Sequence, residues 1–260
     1  MPTVAELLTL RRPRRVPRSR LTAKAPAQPR ALELQYTADL VAVIRAWNAE
    51  VKRALMPHVD DYARKDILLG PVARTFADLR TKIPTTKARV DKAAAKTGRK
   101  VDRFAREQLQ QTVAIPLGDE LTGLVDRFRQ ANVQLVTSVQ DRQLDELAAL
   151  FESAGSMRAE TLADQIQERF DVAESRATLI ARDQVLKLNA QVQQEQQSQA
   201  GVTEYVWLAV KDARTREDHA ALDGTRHSWA LPPVVDEATG RREHPGRDYS
   251  CRCQAIPVVE

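Results

Sequence analysis

Residues 191–210 read QVQQEQQSQAGVTEYVWLAV, and the chain changes character inside them. Before Gly201 the pattern is helical: Leu179, Ile180, Val185, Leu186 and Val192 recur at helix spacing and run into a glutamine-rich end. After Gly201, the residues Val202, Tyr205, Val206, Trp207, Leu208 and Val210 crowd β-branched and bulky side chains into a short run, which reads as a strand. The chain is therefore expected to be mainly α: an elongated helical body, a small C-terminal α+β module, and an extended basic N-terminal arm. Gln191 to Gln199, poor in apolar residues, is expected to be the solvated tail of its helix.

Working towards the N-terminus, Ser175 is expected to cap that helix, and Ser156 with Glu160 to open the one before it, with Leu162, Ile166 and Phe170 on its buried side. Leu121 through Phe151 gives a further helical stretch that stops at Ala154-Gly155. Leu34, Leu40, Val41, Ile44, Trp47, Val51 and Leu55 form the first apolar stripe, which Pro57 is expected to end. A second stripe, Ile67 to Leu79, is expected to close at Pro84. Thr86 to Ile115 carries only a thin apolar stripe and reads as a partly exposed spacer. The expected divisions are an arm (1–31), a helical N-terminal region (32–118), a helical bundle (119–200) and the α+β module (201–260).

Beyond Gly201, Arg214 to Leu222 reads as a short helix, with Thr215 and Asp218 spaced as a capping box. Asp223-Gly224 is a turn into a second strand over Thr225 to Trp229. Leu231 to Tyr249 reads as a long loop, and Cys251 to Val258 as a closing strand. The Asp212 carboxylate is expected to accept backbone N–H bonds in the turn that leads into the short helix.

Composition narrows the function classes. Aromatic residues are 5% of the chain and it holds 9 glycines, which favours long helices packed by Leu, Val, Ile and Ala. No apolar run reaches the roughly 18 residues of a membrane span, and the first residues show no apolar signal-peptide core. The 40 basic residues exceed the 35 acidic ones by 5. Eight of the basic residues, Arg11, Arg12, Arg14, Arg15, Arg18, Arg20, Lys24 and Arg30, lie between Glu6 and Glu33 with no acid among them; without these eight the balance is slightly acidic. Pro13, Pro17, Pro26 and Pro29 break any helix there. The segment reads as an extended arm able to lie on an acidic protein surface or on phosphates, or as a solvated terminus.

Chemistry-bearing residues gather near the C-terminus. His219, His244, Cys251 and Cys253 are nitrogen and sulfur donors of the kind tetrahedral zinc takes. The C-x-C spacing is tighter than the C-x₂₋₄-C of most zinc modules, and a disulfide between the two would be strained. The alternative is that the cysteines are small residues at a strand end and the histidines hydrogen-bonding groups; a metal-free protein is the expectation. A second set, His219, Asp223, His227 and His244, could hold a divalent ion and activate water against a phosphodiester, a nuclease reading for which no compact signature appears.

The succession Tyr205-Val-Trp207, Asp212-Ala-Arg214-Thr215-Arg216, His219-Ala-Ala-Leu222-Asp223-Gly224, Pro232-Pro233, His244-Pro245-Gly246 and Cys251-Arg252-Cys253 resembles the Mu F-like minor head, or head-morphogenesis, proteins of tailed bacteriophages. Arg176-Ala177, Ala181-Arg182-Asp183-Gln184 and Asn189 resemble the helix before the module in that family. The resemblance covers about Asn132 to Val258. Two departures stand out: Arg216-Glu-Asp-His219 replaces a Cys-x-x-Cys of many relatives, and Gln184 replaces a usual acidic residue.

The resemblance implies a structural protein without catalytic activity, present in the virion in the capsid interior or at the portal vertex and assembled in the host bacterial cytoplasm. Its implied partners are the portal protein and the major capsid or scaffolding protein, with packaged DNA as a further one. The basic arm is expected to dock on such a partner, protein in preference to DNA.

Overall fold

The computed structural model describes residues 25–64, 69–113, 119–154 and 157–258. Arg11 to Lys24 of the expected arm, Ile67, and the expected signals at Gly155 and Ser156 lie outside the described residues. Four long helices come first: α1 (Arg30–Ala63), α2 (Leu69–Val113), α3 (Thr122–Ser153) and α4 (Ala159–Gln199). The C-terminal module follows, with β1 (Glu204–Leu208), α5 (Glu217–Ala221), β2 (Arg226–Ser228), β3 (Val234–Asp236), β4 (Arg241–Arg242) and β5 (Gln254–Pro257). The chain is mainly α with a small C-terminal strand module, as the periodicity indicates. Among the described residues no helix is long and apolar enough to cross a membrane.

The chain packs as two units, neither of them one continuous segment. One comprises Arg30–Lys100 and Val125–Val185; the other comprises Met1–Pro29, Val101–Leu124 and Leu186–Glu260.

The first unit is a four-helix bundle whose directions follow from side-chain pairs. Arg80 pairs with Asp145, and Asp91 with Arg129, so α2 and α3 run antiparallel. Arg45 bonds Glu174 while Arg182 approaches Glu33, so α1 and α4 are antiparallel as well. Tyr36 packs on Phe128 and Trp47 meets Gln143, which makes α1 and α3 parallel. The core joins Trp47, Val51, Leu55, Phe76, Leu79, Leu144, Leu147, Leu162, Ile166 and Phe170, among others, in one apolar cluster. Within it the Trp47 indole N–H donates to Gln143 Oε1 at 2.8 Å. The Gln143 amide donates to Asn48 Oδ1, and Asn48 in turn to the Phe170 carbonyl. The polar groups of Trp47, Asn48 and Gln143 are thus satisfied by one another and by the Phe170 carbonyl.

Neither proline ends its helix. α1 continues through Pro57 to Ala63, and α2 through Pro84 to Val113. A helix-interior proline costs about 3 kcal/mol. Beyond Pro57 the helix buries Val59 and lets the Tyr62 hydroxyl donate to the carbonyls of Ala154 and Met157. Burying one valine is worth about 1.5–3 kcal/mol and the single hydroxyl proton, shared between the two carbonyls, about 1 kcal/mol, so packing offsets the defect. Past Pro84, Val90 and Ala94 continue the buried face of α2, so the expected spacer is a packed helix there. Gly98 lets α2 approach α3: a Cβ there would lie 2.9 Å from Val125 Cγ1. Ser175 lies inside α4, which is one helix from Ala159 to Gln199 rather than two.

In the second unit, a three-stranded antiparallel sheet has the order β2-β1-β5. Val206 pairs with Ile256 and Trp207 with Ala255. Strand alternation divides the side chains. Tyr205 and Trp207 enter one cluster with Ala209, Val235, Cys251, Cys253 and Ala255, against which Leu222 and Trp229 pack. Val206 and Ile256 face the other way, with Leu208 and Val258. The expected long loop contains the β3–β4 ribbon, and the closing strand begins at Gln254, so Cys251 to Cys253 form its approach.

The glutamine-rich end of α4 is not a solvated tail. Val192, Gln193, Gln196 and Gln197 are buried. Gln197 Nε2 donates to the Ala255 carbonyl of β5, and Gln196 Nε2 to the Asp119 carbonyl. A strap also ties residues 26–28 to this unit. Gln254 Nε2 donates to the Pro26 carbonyl, Gln28 Nε2 to the Arg252 carbonyl at 2.9 Å, and the Ala27 N–H to Gln108 Oε1 at 3.0 Å.

Candidate metal centre

The centre begins with a turn. Asp212 Oδ1 accepts the Arg214 N–H at 3.1 Å, while the Thr215 N–H reaches the Asp212 carbonyl. The same carboxylate oxygen receives the Arg252 guanidinium. That bond holds the Asp212 carboxyl well below the usual range, aided by the backbone bond from Arg214, although its partial desolvation opposes the shift. The expected capping box is not formed. Thr215 Oγ1 turns back to Asp212, Asp218 accepts the Glu237 N–H, and Arg216 at the N-cap makes no side-chain cap.

The short helix α5 then carries His219 inward. From the other side comes the extended Cys251-Arg252-Cys253, whose alternation sends both thiols in and Arg252 out to Asp212. Ser250, at φ 48°, and Gly246, at φ 81°, bend the chain before it. Gly246 is required twice over. Its conformation is left-handed, and a Cβ would stand 2.7 Å from Ala190 Cβ and 3.3 Å from the Cys253 carbonyl. Its N–H points at Cys251 Sγ, 3.4 Å away.

Three donors converge as a result. His219 Nδ1 lies 3.4 Å from Cys251 Sγ and 3.6 Å from Cys253 Sγ. The donor atoms of the three residues all lie within 4.8 Å of one another. On the far side of the ring, His219 Nε2 meets Asp248 Oδ2 at 3.1 Å. That bond occupies Nε2 and turns Nδ1 to the sulfurs, where it donates to the Cys251 thiolate when the ring is charged and would offer its lone pair to an ion in place of that proton. Asp248 also accepts from Arg216 Nη1 at 2.9 Å and from Arg241 Nη2 at 3.3 Å. Trp207 closes the centre edge-on, its ring centroid 5.6 Å from that of His219. His219, Asp248, Cys251 and Cys253 are all 6% exposed or less.

The electrostatics are those of a paired thiolate. The Cys251 thiol is pulled down to about 5, first by the hydrogen bond from Cys253, then by His219, against the opposing effect of burial. Cys253 is pushed up, because its proton is held in the bond to Cys251 and because it is buried. For His219, burial works against charging, but the bond to Cys251 and its charge outweigh it, and the net direction is up.

The donor set fits zinc. Zn–S of about 2.3 Å and Zn–N of about 2.05 Å at a tetrahedral angle give an N···S edge of about 3.6 Å. The two edges here measure 3.4 and 3.6 Å. The chemistry such an ion supplies is a cross-link between α5 and the approach to β5, with Asp248 orienting the histidine behind it.

Of the four residues singled out in the sequence as zinc donors, the structure brings three together. His244 is placed elsewhere: its Nδ1 bonds the Tyr205 hydroxyl at 2.9 Å and its ring packs on Trp229. The nuclease set is dispersed. Asp223 holds the Ala209 N–H and Lys211, and His227 bonds Thr225, while His244 stays with Tyr205. Among the described residues, the group able to hold an ion is His219, Cys251 and Cys253. Of the basic arm, Arg30 is described; it opens α1 and pairs with Glu33. Asp248 was not legible as a participant, because nothing in Gly246-Arg-Asp-Tyr-Ser-Cys251 separates its carboxylate from a surface one.

Residues 153–256 match the family model described as Phage Mu protein F like protein. A curated relative from Haemophilus influenzae, described as an uncharacterized protein, is 37% identical over 143 residues. The matched stretch is 54% of this chain and 30% of the relative, so the chain spans less than a third of the relative's length. No solved structure matches the chain. The matched residues contain α4, the sheet and the whole His219–Cys251–Cys253 centre, and over them the chain is similar to the Phage Mu protein F like family.

Proposed function

We propose that the protein is a structural minor component of a tailed-phage head, acting in head morphogenesis near the portal vertex. The observation that carries this reading is the family match over residues 153–256, which spans the module and its centre. The centre itself supports a structural role. Its donors are at most 6% exposed and present no face to a substrate. Three protein donors leave the fourth position of a tetrahedral ion unfilled, so it is their burial, and not a complete ligand shell, that supports the structural reading. The ion we assign to it is zinc, held by His219 Nδ1 and the two thiolates. The partners are the portal protein and the capsid or scaffolding protein, and the basic arm up to Arg30 docks on an acidic face of one of them.

Purified heads from a phage or prophage carrying a tagged copy of the chain test this. The protein is expected in procapsids and mature heads at a few copies per particle. Deletion of residues 1–24 is expected to lower that number. Absence from purified heads would overturn the assignment, and normal incorporation of the deleted chain would remove the arm from it.

A further inference from the structure

We infer that the exposed face of α2 between Arg89 and Lys100 is a binding surface for the phosphate backbone of duplex nucleic acid. Arg89, Lys92, Lys96, Arg99 and Lys100 are all exposed. At 3.6 residues per turn they fall within a sector of about 100°. Val90, Ala94 and Gly98 occupy the opposite, buried side. The cations therefore form one solvent-facing stripe along the helix.

The stripe is unopposed. Among the described residues, neither Arg89, Lys92, Lys96 nor Arg99 pairs with a carboxylate, and Lys100 donates to the neutral Gln35. The acid in the interval, Asp91, has both oxygens taken by Arg129. One stretch earlier on the same helix the pattern differs: Arg80 and Lys82 are matched by Asp145 and Glu50.

Charge spacing and surface chemistry select the partner. From Arg89 to Lys100 the helix rises about 16 Å, so the five cations stand on average about 4 Å apart along its axis. One strand of duplex DNA presents a phosphate every 3.4 Å or so of axis. The side chains flanking the stripe are small, Ala88, Ala93 and Ala95, which lets a backbone come close. An aromatic platform of the kind that stacks single-stranded bases is missing from this face. Within residues 88–100 of α2 there is likewise no aromatic, Met or Leu side chain of the kind that anchors the core of a protein–protein interface. A surface with charge at polyelectrolyte density and no apolar anchor binds by releasing counterions, without reading sequence.

The test uses the full-length chain and a mixed-sequence duplex of about 24 base pairs, with anisotropy followed over a salt series. One variant carries Arg89→Gln, Lys92→Gln, Lys96→Gln and Arg99→Gln. Glutamine is a good helix former, and an unchanged circular-dichroism spectrum and melting point verify the fold. A second carries Lys92→Arg and Lys96→Arg, which keep the charge. A third carries Arg11→Gln, Arg12→Gln, Arg14→Gln and Arg15→Gln in the arm. The first variant is expected to bind at least tenfold more weakly and to flatten the log K against log salt slope by about 3–4, roughly 0.9 per lost contact. The second should bind as the parent does. Unchanged affinity and slope in the first variant, or loss in the arm variant alone, overturns the inference. So does normal duplex binding by a stripe variant that no longer enters heads, an outcome that assigns the stripe to a protein partner. Head incorporation is read separately from duplex binding, so failure of the morphogenesis proposal and failure of this one are distinguishable.

Discussion

His219 bonds Asp248 through Nε2 at 3.1 Å and turns Nδ1 to Cys251 at 3.4 Å, so one buried ring joins a carboxylate to a thiol. The carboxylate fixes the ring's orientation, and with it the donor atom offered to an ion. The centre's two halves come from segments about thirty residues apart in the chain, α5 and the approach to β5.

Zinc content checks the centre directly. Protein expressed in zinc-supplemented medium is expected to carry about one zinc per chain by elemental mass spectrometry. Cys251→Ser and Cys253→Ser should each lose it, and a chelator should lower the melting temperature of the parent and not of the variants. A metal-free parent whose melting point ignores chelator would exclude the assignment.

Asp248→Asn keeps the shape of the side chain but removes the charge that Arg216, Arg241 and His219 share. Asp248 is buried but Arg216 and Arg241 reach solvent, so losing these charge-assisted bonds is expected to cost about 1–3 kcal/mol, read as a shift in the urea midpoint. Adding Arg216→Met should recover part of the loss, because the two residues share one interaction. Strict additivity of the two changes would show that they do not.

Gly246→Ala introduces two separable faults, a left-handed backbone with a side chain and a methyl group pressed on Ala190. Together they are expected to destabilise by about 2–5 kcal/mol. The double variant with Ala190→Gly removes the clash but not the backbone strain, so it should remain less stable than the parent in thermal unfolding. Full recovery would mean that the φ of 81° has no energetic weight.

Acid sensitivity follows from His227 and His244. Burial holds both down at about 4; the Arg247 charge assists at His244. Unfolded, each titrates near 6.5, so the unfolded chain binds more protons between the two values. These residues therefore contribute stability that is present above about pH 6.5 and is lost as the pH falls towards 4. The urea midpoint should drop over that window, and His227→Gln should flatten the drop. An equally steep profile in the variant would remove His227 from the account.

What could be read in advance was decided by periodicity. The apolar stripe Leu40, Ile44, Trp47, Val51 and Leu55 and the alternation of Tyr205 and Trp207 with Val206 and Leu208 carry their own geometry. Pro57 and Pro84 misled because a local cost was weighed without the packing on either side of it. The glutamines of α4 misled because polarity was equated with exposure. Gln197 is buried because its amide can satisfy a strand carbonyl, which an apolar side chain cannot do. His244 shares its residue type with a metal ligand, and only the Tyr205 hydroxyl beside it shows where its nitrogen is used.

The strap formed by Pro26 and Gln28 has a consequence in time as well as in space. Its partners, Gln254 and Arg252, lie 228 and 224 residues further along the chain. A ribosome therefore releases the strap long before it releases what the strap holds on to. Closing a loop of that length from an open chain costs about 5 kcal/mol in entropy, so the clasp shuts after the intervening helices have drawn its two sides together. A nascent or truncated chain that stops before Arg252 leaves Pro26 and Gln28 without these partners. Until synthesis has passed the cysteine pair, the Ala27 bond to Gln108 is the one strap contact described above that can form, and proteolysis near residue 28 becomes a timer for completion of the fold.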